Sequence, residues 1–596
     1  MLSDTHPELR QASAPASGLG EPLLAQRAQA LKAYSPGVLP NGAKVDLWLD
    51  ANEGPASLWE NAPAVAQSEE LLRRYPSAAA LEAMLAASWG VAASQIIVTA
   101  GGDDAIDRVC RAVLNPGDEL IFPAPSFEMI ERFARLAGAS VARVEWGREE
   151  FPVERVLAAA TERTRLVSLV TPNNPTGSVI SIDAIHAVAK ALPQAWIMVD
   201  LAYAEFADSD PMREVLSLPN VVVIRTFSKA YAMAGARVGY SVGPERLINA
   251  LRAVGGPFAV SGPSAALVAA RLEVSRAAVA ERIEAVRAER DRLVAQLASL
   301  GAKPFASQGN FVLAEFRDAA QANWVWRALL SLGILVRRFG DTYAAPLPKC
   351  LRITCPGDES AFARVTAALS AVFKPDAILL DMDGVIADVS GSYRAAVSQT
   401  AATFGVTLSP ADIQTEKDLG DANNDWIVTH RLLTKRGVTT SLAEVTRRFE
   451  ALYWGMPGGT PGLVSQEALI SSLALLEALR AKARLAIVTG RPRRDAEVFL
   501  DRFGIRGFFE TIVCMEDAPR KPDPAPVRLA MQQLGVRSAW MVGDTPDDLV
   551  AARGAGVVPL AIPAPGAEFA VHTQTLEAAG AARVLSSLEQ LLEMLP

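Results

Sequence analysis

A chain of 596 residues, half of them hydrophobic, exceeds one ordinary domain and has enough apolar surface for at least two buried cores. A formal charge of −8 and a pI near 5.4 exclude a general nucleic-acid-binding surface, and no apolar run is long enough to cross a membrane. Cys110, Cys350, Cys355 and Cys514 form no CxxC pair and have no companion histidine cluster, which argues against a zinc site or disulfide framework and makes the cytosol the simplest compartment.

Residues 1–29 hold no apolar core of the signal-peptide kind and read as a disordered lead-in. Val45 to Asp50 alternates as a strand does, with Asn52 and Glu53 just beyond it, and Tyr75 reads as a turn tyrosine. Ile96 to Thr99 is strand-like and runs through Gly101 and Gly102 into a helical pattern. Free amides around Gly102 and Asp103 at that helix start suit a phosphate. Phe127 follows Pro123-Ala-Pro125. Leu166 to Val170 is a further buried strand, opening into the turn Thr171-Pro-Asn-Asn-Pro-Thr-Gly177 with Asn174 at its centre. Trp196 to Asp200 is an apolar run ending in an acid, so it delivers a carboxylate to the strand end where open α/β sheets bind ligands; Tyr203 stands three residues on.

Val221 to Ile224 predicts a buried strand, and Arg-Thr-Phe-Ser leaves it as a loop just before Lys229. An amine at a strand exit can form a Schiff base with a cofactor aldehyde, for which pyridoxal phosphate is the usual choice. A lysine at a loop edge is more often merely solvated, so the partners decide. Asp200 suits the pyridinium nitrogen, where a carboxylate keeps the ring protonated and able to accept electrons. Tyr203 and Asn174 suit the phenolic oxygen, Phe127 the ring face, and Thr226, Ser228 and Arg237 the phosphate. From Gly262 to Leu300 an Ala/Arg/Glu-rich pattern predicts a long helix whose charges form a solvated face. Strand-like pieces around Phe311, Ile334 and Leu351 alternate with helices as a small α/β domain, with Arg337 and Arg352 at strand ends.

Ala33-Tyr-Ser-Pro-Gly37, Ala51-Asn-Glu-Gly-Pro55, Arg74-Tyr-Pro76, Asn173-Asn-Pro-Thr-Gly177, Asp200-Leu-Ala-Tyr203, Ser228-Lys229, Ala234-Gly-Ala-Arg237 and Leu351-Arg-Ile-Thr354 together carry a resemblance. Residues 30–372 resemble fold type I pyridoxal-phosphate aminotransferases with a large and a small domain, most closely the histidinol-phosphate branch. The resemblance implies that Arg337, Arg352 and Tyr34 grip a substrate phosphate. It also implies that Tyr75 reaches the neighbouring subunit's cofactor in a homodimer.

At Ala377 the pattern restarts without a flexible linker: Ala377-Ile-Leu-Leu-Asp381-Met-Asp-Gly-Val385 is a buried strand ending in Asp-x-Asp-Gly. Val488-Thr489-Gly-Arg, Arg520-Lys521-Pro-Asp-Pro524 and Val542-Gly-Asp544-Thr-Pro-Asp-Asp548 follow in order. Residues 376–596 thus resemble the haloacid dehalogenase superfamily, a Rossmann-like fold, with the first motif closest to its phosphoglycolate-phosphatase branch. The long helical interval at about 393–479 resembles a cap. By charge, Asp381 is the nucleophile and Asp383 the acid and base. Mg²⁺ on Asp381, the Asp383 carbonyl and Asp544, with Asp548 in or beside its shell, is needed to offset carboxylate–phosphate repulsion, while Thr489 and Lys521 neutralise phosphate oxygens.

The expectation is a two-enzyme α/β chain: transamination of imidazole-acetol phosphate to histidinol phosphate, then hydrolysis of that ester to histidinol, both on small molecules. The alternatives are a transaminase or lyase for another aromatic or phosphorylated amino compound, a salvage phosphatase of the phosphoglycolate kind, or one half serving as a regulatory module.

Overall fold

The computed structural model describes residues 43–55 and 69–595, apart from 275, 341–342, 420–423 and 456–460, together with Leu39 and Leu58. Tyr34 and the expected lead-in lie outside the described residues.

The first strands in chain order are β1 (Leu47–Leu49), β2 (Ile96–Thr99), β3 (Glu119–Ala124), β4 (Ser140–Glu145), β5 (Thr164–Val170), β6 (Trp196–Asp200), β7 (Val221–Thr226) and β8 (Gly239–Val242). All but β1 form a seven-stranded sheet, ordered β2-β8-β7-β6-β5-β3-β4, in which only β8 runs antiparallel to its neighbours. Buried on both faces, its central strands are continuous Val/Ile/Leu runs, as parallel strands require. Register places Val170, Asp200 and Ile224 side by side, so three strands deliver their following loops to one edge. Helix α1 (Gly101–Val113) starts at that edge.

The chain then forms α2 (Arg276–Ser299), β9 (Lys303–Pro304), β10 (Phe311–Glu315), α3 (Ala319–Ser331), β11 (Ile334–Arg338) and β12 (Cys350–Thr354). These strands and β1 make the sheet β1-β11-β12-β10-β9, in which Arg337 stands opposite Arg352. The expected solvated face of α2 holds for Glu281, Glu284, Asp291 and Arg292, which are exposed, and is corrected for Arg282, Glu289 and Arg290, which are buried. Arg290 donates to the carbonyls of Phe206 and Gly309, and Arg282 to those of Lys229 and Ala230, so main-chain acceptors replace water.

Helix α4 (Glu359–Phe373) ends three residues before β13 (Ala377–Leu380). The third sheet is wholly parallel, ordered β17-β16-β13-β18-β19-β20, from β16 (Arg484–Val488), β17 (Thr511–Val513), β18 (Ala539–Gly543), β19 (Val558–Ala561) and β20 (Arg583–Val584). Between β13 and β16 a two-stranded hairpin of β14 (Ala387–Asp388) and β15 (Ala468–Leu469) carries an insertion whose described residues form α-helices spanning Tyr393–Ala402, Pro410–Asp418, Asp425–Lys435 and Leu442–Trp454. The insertion therefore ends at β15, ten residues before the expected boundary, because the next helix, Leu473–Lys482, packs on β16 instead.

Alternation along this sheet divides its side chains between two cores. Leu379, Val488 and Met541 face helices 525–534 and 546–554. Leu380, Ile487, Trp540 and Val542 join a core that also contains Trp324, Val325 and Leu329 of α3 and Phe362 and Val365 of α4. Trp540 Nε1 donates to Ala371 O across the same boundary, at 2.9 Å. The second unit's sheet is thus sealed by helices of the first.

Candidate functional site

The first site is a cavity of about 1100 Å³ between the seven-stranded sheet and the smaller one. Every cofactor residue expected from the sequence lines it except Tyr75. Asp200 sits at the end of β6, 5% exposed, with Oδ1 accepting the Ala202 N–H at 3.0 Å. Burial pushes its carboxyl up to about 6, against the lowering effects of that bond and of the Lys229 ammonium. A buried acid so placed fits a cationic ring nitrogen. Lys229 Nζ donates to Ala51 O at 2.8 Å and lies 5.8 Å from the centre of the Tyr203 ring.

Asn52 organises the opposite wall. It is buried in the left-handed region at φ 56°; its Nδ2 donates to Tyr203 OH at 2.9 Å and its Oδ1 lies 2.9 Å from Thr354 Oγ1. Asn174 Oδ1 accepts from Arg352, which also donates to Asp50 O. Both groups expected at a phenolic oxygen are therefore held in place by the substrate-side wall.

At the phosphate end, α1 presents its first amides from Gly101 onward. Arg237 reaches over them to Asp103 at 3.3 Å, and a Cβ on Gly101 (φ +85°) would stand 2.7 Å from the arginine's Nη2. Thr226 Oγ1 and Ser228 Oγ are 2.8 Å apart beside this helix start. The set of free amides, two hydroxyls and a guanidinium fits a phosphate dianion.

Arg337 lies in the same cavity, 3.8 Å from Glu128 Oε1 and 3.4 Å from Tyr343 OH; the tyrosine donates to Glu128 Oε2 at 2.9 Å. Glu128 and Tyr343 escaped the sequence reading. Tyr75 is 82% exposed and stacks on Phe258 with ring centres 4.5 Å apart, away from this subunit's cavity.

The second site gathers at the carboxyl ends of β13, β16 and β18. Asp381, Asp544 and Asp548 are buried, with one carboxylate oxygen of each within 4.8 Å of the others. Lys521 Nζ lies 2.9 Å from Asp381 Oδ1 and 2.5 Å from Asp548 Oδ1. Burial, then the surrounding carboxylates, pushes Asp381 well up, Lys521 opposing; burial and Asp548 push Asp544 up to about 7. One ammonium among three buried carboxylates leaves room for a divalent cation, so this donor set fits Mg²⁺. Asp548 differs from the others: its Oδ2 accepts from Thr545 N and Oγ1 at 3.1 and 2.7 Å, so with Lys521 on Oδ1 it orients the shell. Gly384 at φ +74° permits the loop to close, since a Cβ there would stand 2.3 Å from Asp544 Oδ2.

Thr489 is buried at the end of β16, and its Oγ1 accepts from Arg491 N at 3.2 Å. Asp383 points toward Arg491, whose Nε donates to its Oδ1 at 2.6 Å. Asp383, Tyr393, Asp425, Trp426 and Arg491 border a small cleft beneath the insertion. Arg491 was visible in the sequence only as part of a motif.

Residues 46–369 match the class I and II aminotransferase family, and residues 375–556 match the haloacid dehalogenase-like hydrolase family. A histidinol-phosphate aminotransferase of Paracoccus denitrificans is 35% identical over 328 residues, 53% of this chain and 86% of that protein. An imidazoleglycerol-phosphate dehydratase of Phytophthora nicotianae is 44% identical over 237 residues, 37% of this chain and 52% of that one. The crystal structure of Sinorhizobium meliloti histidinol-phosphate aminotransferase in complex with pyridoxal 5'-phosphate superposes with a TM-score of 0.53 at 27% identity, covering 58% of this chain and 96% of that chain. With more than half its length matched, this chain belongs to the class I and II aminotransferase family and carries a haloacid dehalogenase-like hydrolase unit behind it, an aminotransferase and a phosphatase in one polypeptide.

Proposed function

We infer that the first unit transaminates imidazole-acetol phosphate to histidinol phosphate with glutamate as donor, and that the second hydrolyses histidinol phosphate to histidinol. The observation that carries this reading is the pairing of Arg337 opposite Arg352 in the cavity wall, two guanidiniums suited to a phosphorylated substrate, in a chain whose second half is a phosphatase. The names of the relatives support it, since both enzymes act on imidazole-bearing alkyl phosphates by their names.

Pyridoxal phosphate, when bound, supplies the electron sink for loss of the substrate α-proton. Lys229 holds the cofactor and moves that proton, Asp200 holds the ring nitrogen, and Asn174 and Tyr203 donate to the phenolic oxygen. Thr226, Ser228, Arg237 and the amides of Gly102 and Asp103 would hold the phosphate, and Phe127 would stack on the ring. Tyr34 joins Arg337 and Arg352 on the substrate phosphate, and Tyr75 completes the cofactor set from a second copy of the chain; its exposure beside Phe258 supports a homodimer. We place both activities in the cytoplasm; no helix among the described residues is long and apolar enough to cross a membrane.

In the second unit Asp381, the Asp383 carbonyl and Asp544 would hold Mg²⁺, whose charge would offset the repulsion between carboxylates and phosphate. Asp381 attacks phosphorus while the ester oxygen leaves with the proton of Asp383. Water then attacks the aspartyl phosphate, giving its proton to Asp383 and freeing inorganic phosphate. Thr489 and Lys521 hold phosphate oxygens. The insertion covers this cleft and limits it to small esters.

The test of the first half is the reverse reaction. Purified protein loaded with pyridoxal phosphate should convert 2-oxoglutarate to glutamate with histidinol phosphate, and Arg352→Met should raise KM for that amine at least tenfold. Brisk activity with phenylalanine and none with histidinol phosphate would overturn the substrate.

A further inference from the structure

Arg491 leaves β16 two residues after Thr489 and turns inward, with its side chain 1% exposed. Its guanidinium lies between the rings of Tyr393 and Phe499, 4.9 and 5.3 Å from their centres. Nε donates to Asp383 Oδ1 at 2.6 Å and Nη1 to Glu467 Oε2 at 3.1 Å. Two carboxylates around this desolvated cation offset much of the cost of burying its charge, while Nη2 is buried without a hydrogen-bond partner among the described residues. Glu467 is itself 2% exposed in its side chain, and its Oε1 accepts from Ser392 Oγ and Tyr453 OH, each at 3.0 Å.

Those contacts have a definite place in the chain. Ser392 immediately precedes the first insertion helix, Tyr453 belongs to the last, and Glu467 immediately precedes the return strand β15. The carboxylate that holds Arg491 is therefore anchored at both crossings between insertion and core. At the other end, Arg491 occupies one oxygen of Asp383, whose side chain keeps 25% exposure toward the cleft. Oδ2 is left as the oxygen that carries a proton to the ester.

Resting on the phosphatase reading, we propose that Arg491 is a positioning residue for general acid–base chemistry: it aims Asp383 Oδ2 at the leaving oxygen, and Glu467 makes that aim depend on the seated insertion. The consequence is a leaving-group signature. Expulsion of an alkoxide needs the proton from Asp383, whereas expulsion of 4-nitrophenolate hardly does; the later attack of water needs Asp383 with either ester.

The full chain with Mg²⁺ should be assayed on histidinol phosphate and on 4-nitrophenyl phosphate, comparing wild type, Arg491→Met, Arg491→Lys and Glu467→Gln. Arg491→Met should lower kcat on histidinol phosphate by on the order of 10²-fold with KM nearly unchanged. On 4-nitrophenyl phosphate it should release a rapid burst of nitrophenolate close to one per site, followed by slow turnover. Arg491→Lys should recover part of the loss, and Glu467→Gln, which keeps shape and removes charge, should show the same pattern more weakly. Equal loss on both esters without a burst in the variants that fold, or no loss, overturns the assignment. Absence of wild-type activity on both esters would instead overturn the phosphatase reading beneath it.

Discussion

The indole of Trp324 meets that of Trp540 edge-on, ring centres 5.7 Å apart, and joins the aminotransferase unit to the phosphatase unit. Trp324 sits on α3, which packs against β11 on one side and against β19 and β20 on the other. The helix that backs the strand of Arg337 therefore also closes the phosphatase core. Trp540 is fully buried, so Trp540→Ala should cost about 3–5 kcal/mol. Calorimetry should show the transitions of both units moving down together. A shift confined to one transition, with the other unmoved, would mean that the units fold independently.

Asp200 gives a pH signature. Its carboxyl titrates near 6 in the folded protein against an ordinary 3.8, so the folded state takes up the proton first as pH falls. The group's contribution is most favourable below the unfolded value and is lost as pH rises through about 6, a change of roughly 3 kcal/mol. Cofactor-free wild type should therefore lose more stability between about pH 4 and pH 7 than Asp200→Asn does. Parallel urea-midpoint profiles for the two proteins would contradict this placement of the charge.

Protons and metal should compete at the second site. Asp544 titrates near 7 when no cation offsets its burial and the Asp548 charge. Chelation should stop phosphate release and Mg²⁺ should restore it. The Mg²⁺ concentration giving half-maximal rate should rise as pH falls below about 7, since a protonated carboxyl binds no cation. Asp544→Asn should raise that concentration throughout and flatten its pH dependence; a pH-independent requirement in the wild type would argue against Asp544 as a ligand.

Tyr75 tests assembly. Lys229→Ala and Tyr75→Phe chains, each poorly active alone, should regain activity when refolded together, because one site of the mixed dimer then carries both native residues. Activity that never exceeds the parents' would exclude a shared site.

What the sequence revealed, it revealed where a buried run ends in one polar residue. Asp200, Lys229, Asp381 and Asp544 were legible because a parallel strand hides its middle and exposes its carboxyl end. Arg282, Glu289 and Arg290 were not, since helical periodicity says where charges point but not that the carbonyls of Lys229, Phe206 and Gly309 await the two arginines and the amide of Gly357 the glutamate. Glu128 and Tyr343 are 215 residues apart, and Arg491 lies 108 residues from Asp383, distances over which spacing carries no information. The insertion's end was misplaced because helix 473–482 has the same apolar pattern as its predecessors, and only its packing on β16 distinguishes it.

The most direct test of consecutive action feeds imidazole-acetol phosphate and glutamate to the purified chain with pyridoxal phosphate and Mg²⁺, following 2-oxoglutarate, histidinol phosphate, histidinol and inorganic phosphate together. Wild type should yield histidinol and phosphate in equal amounts. Asp381→Asn should stop at histidinol phosphate with 2-oxoglutarate formed at the wild-type rate, and Lys229→Ala should form neither product yet still release phosphate from added histidinol phosphate. Accumulation of histidinol phosphate by the wild type, alongside brisk phosphate release from phosphoglycolate, would contradict the account.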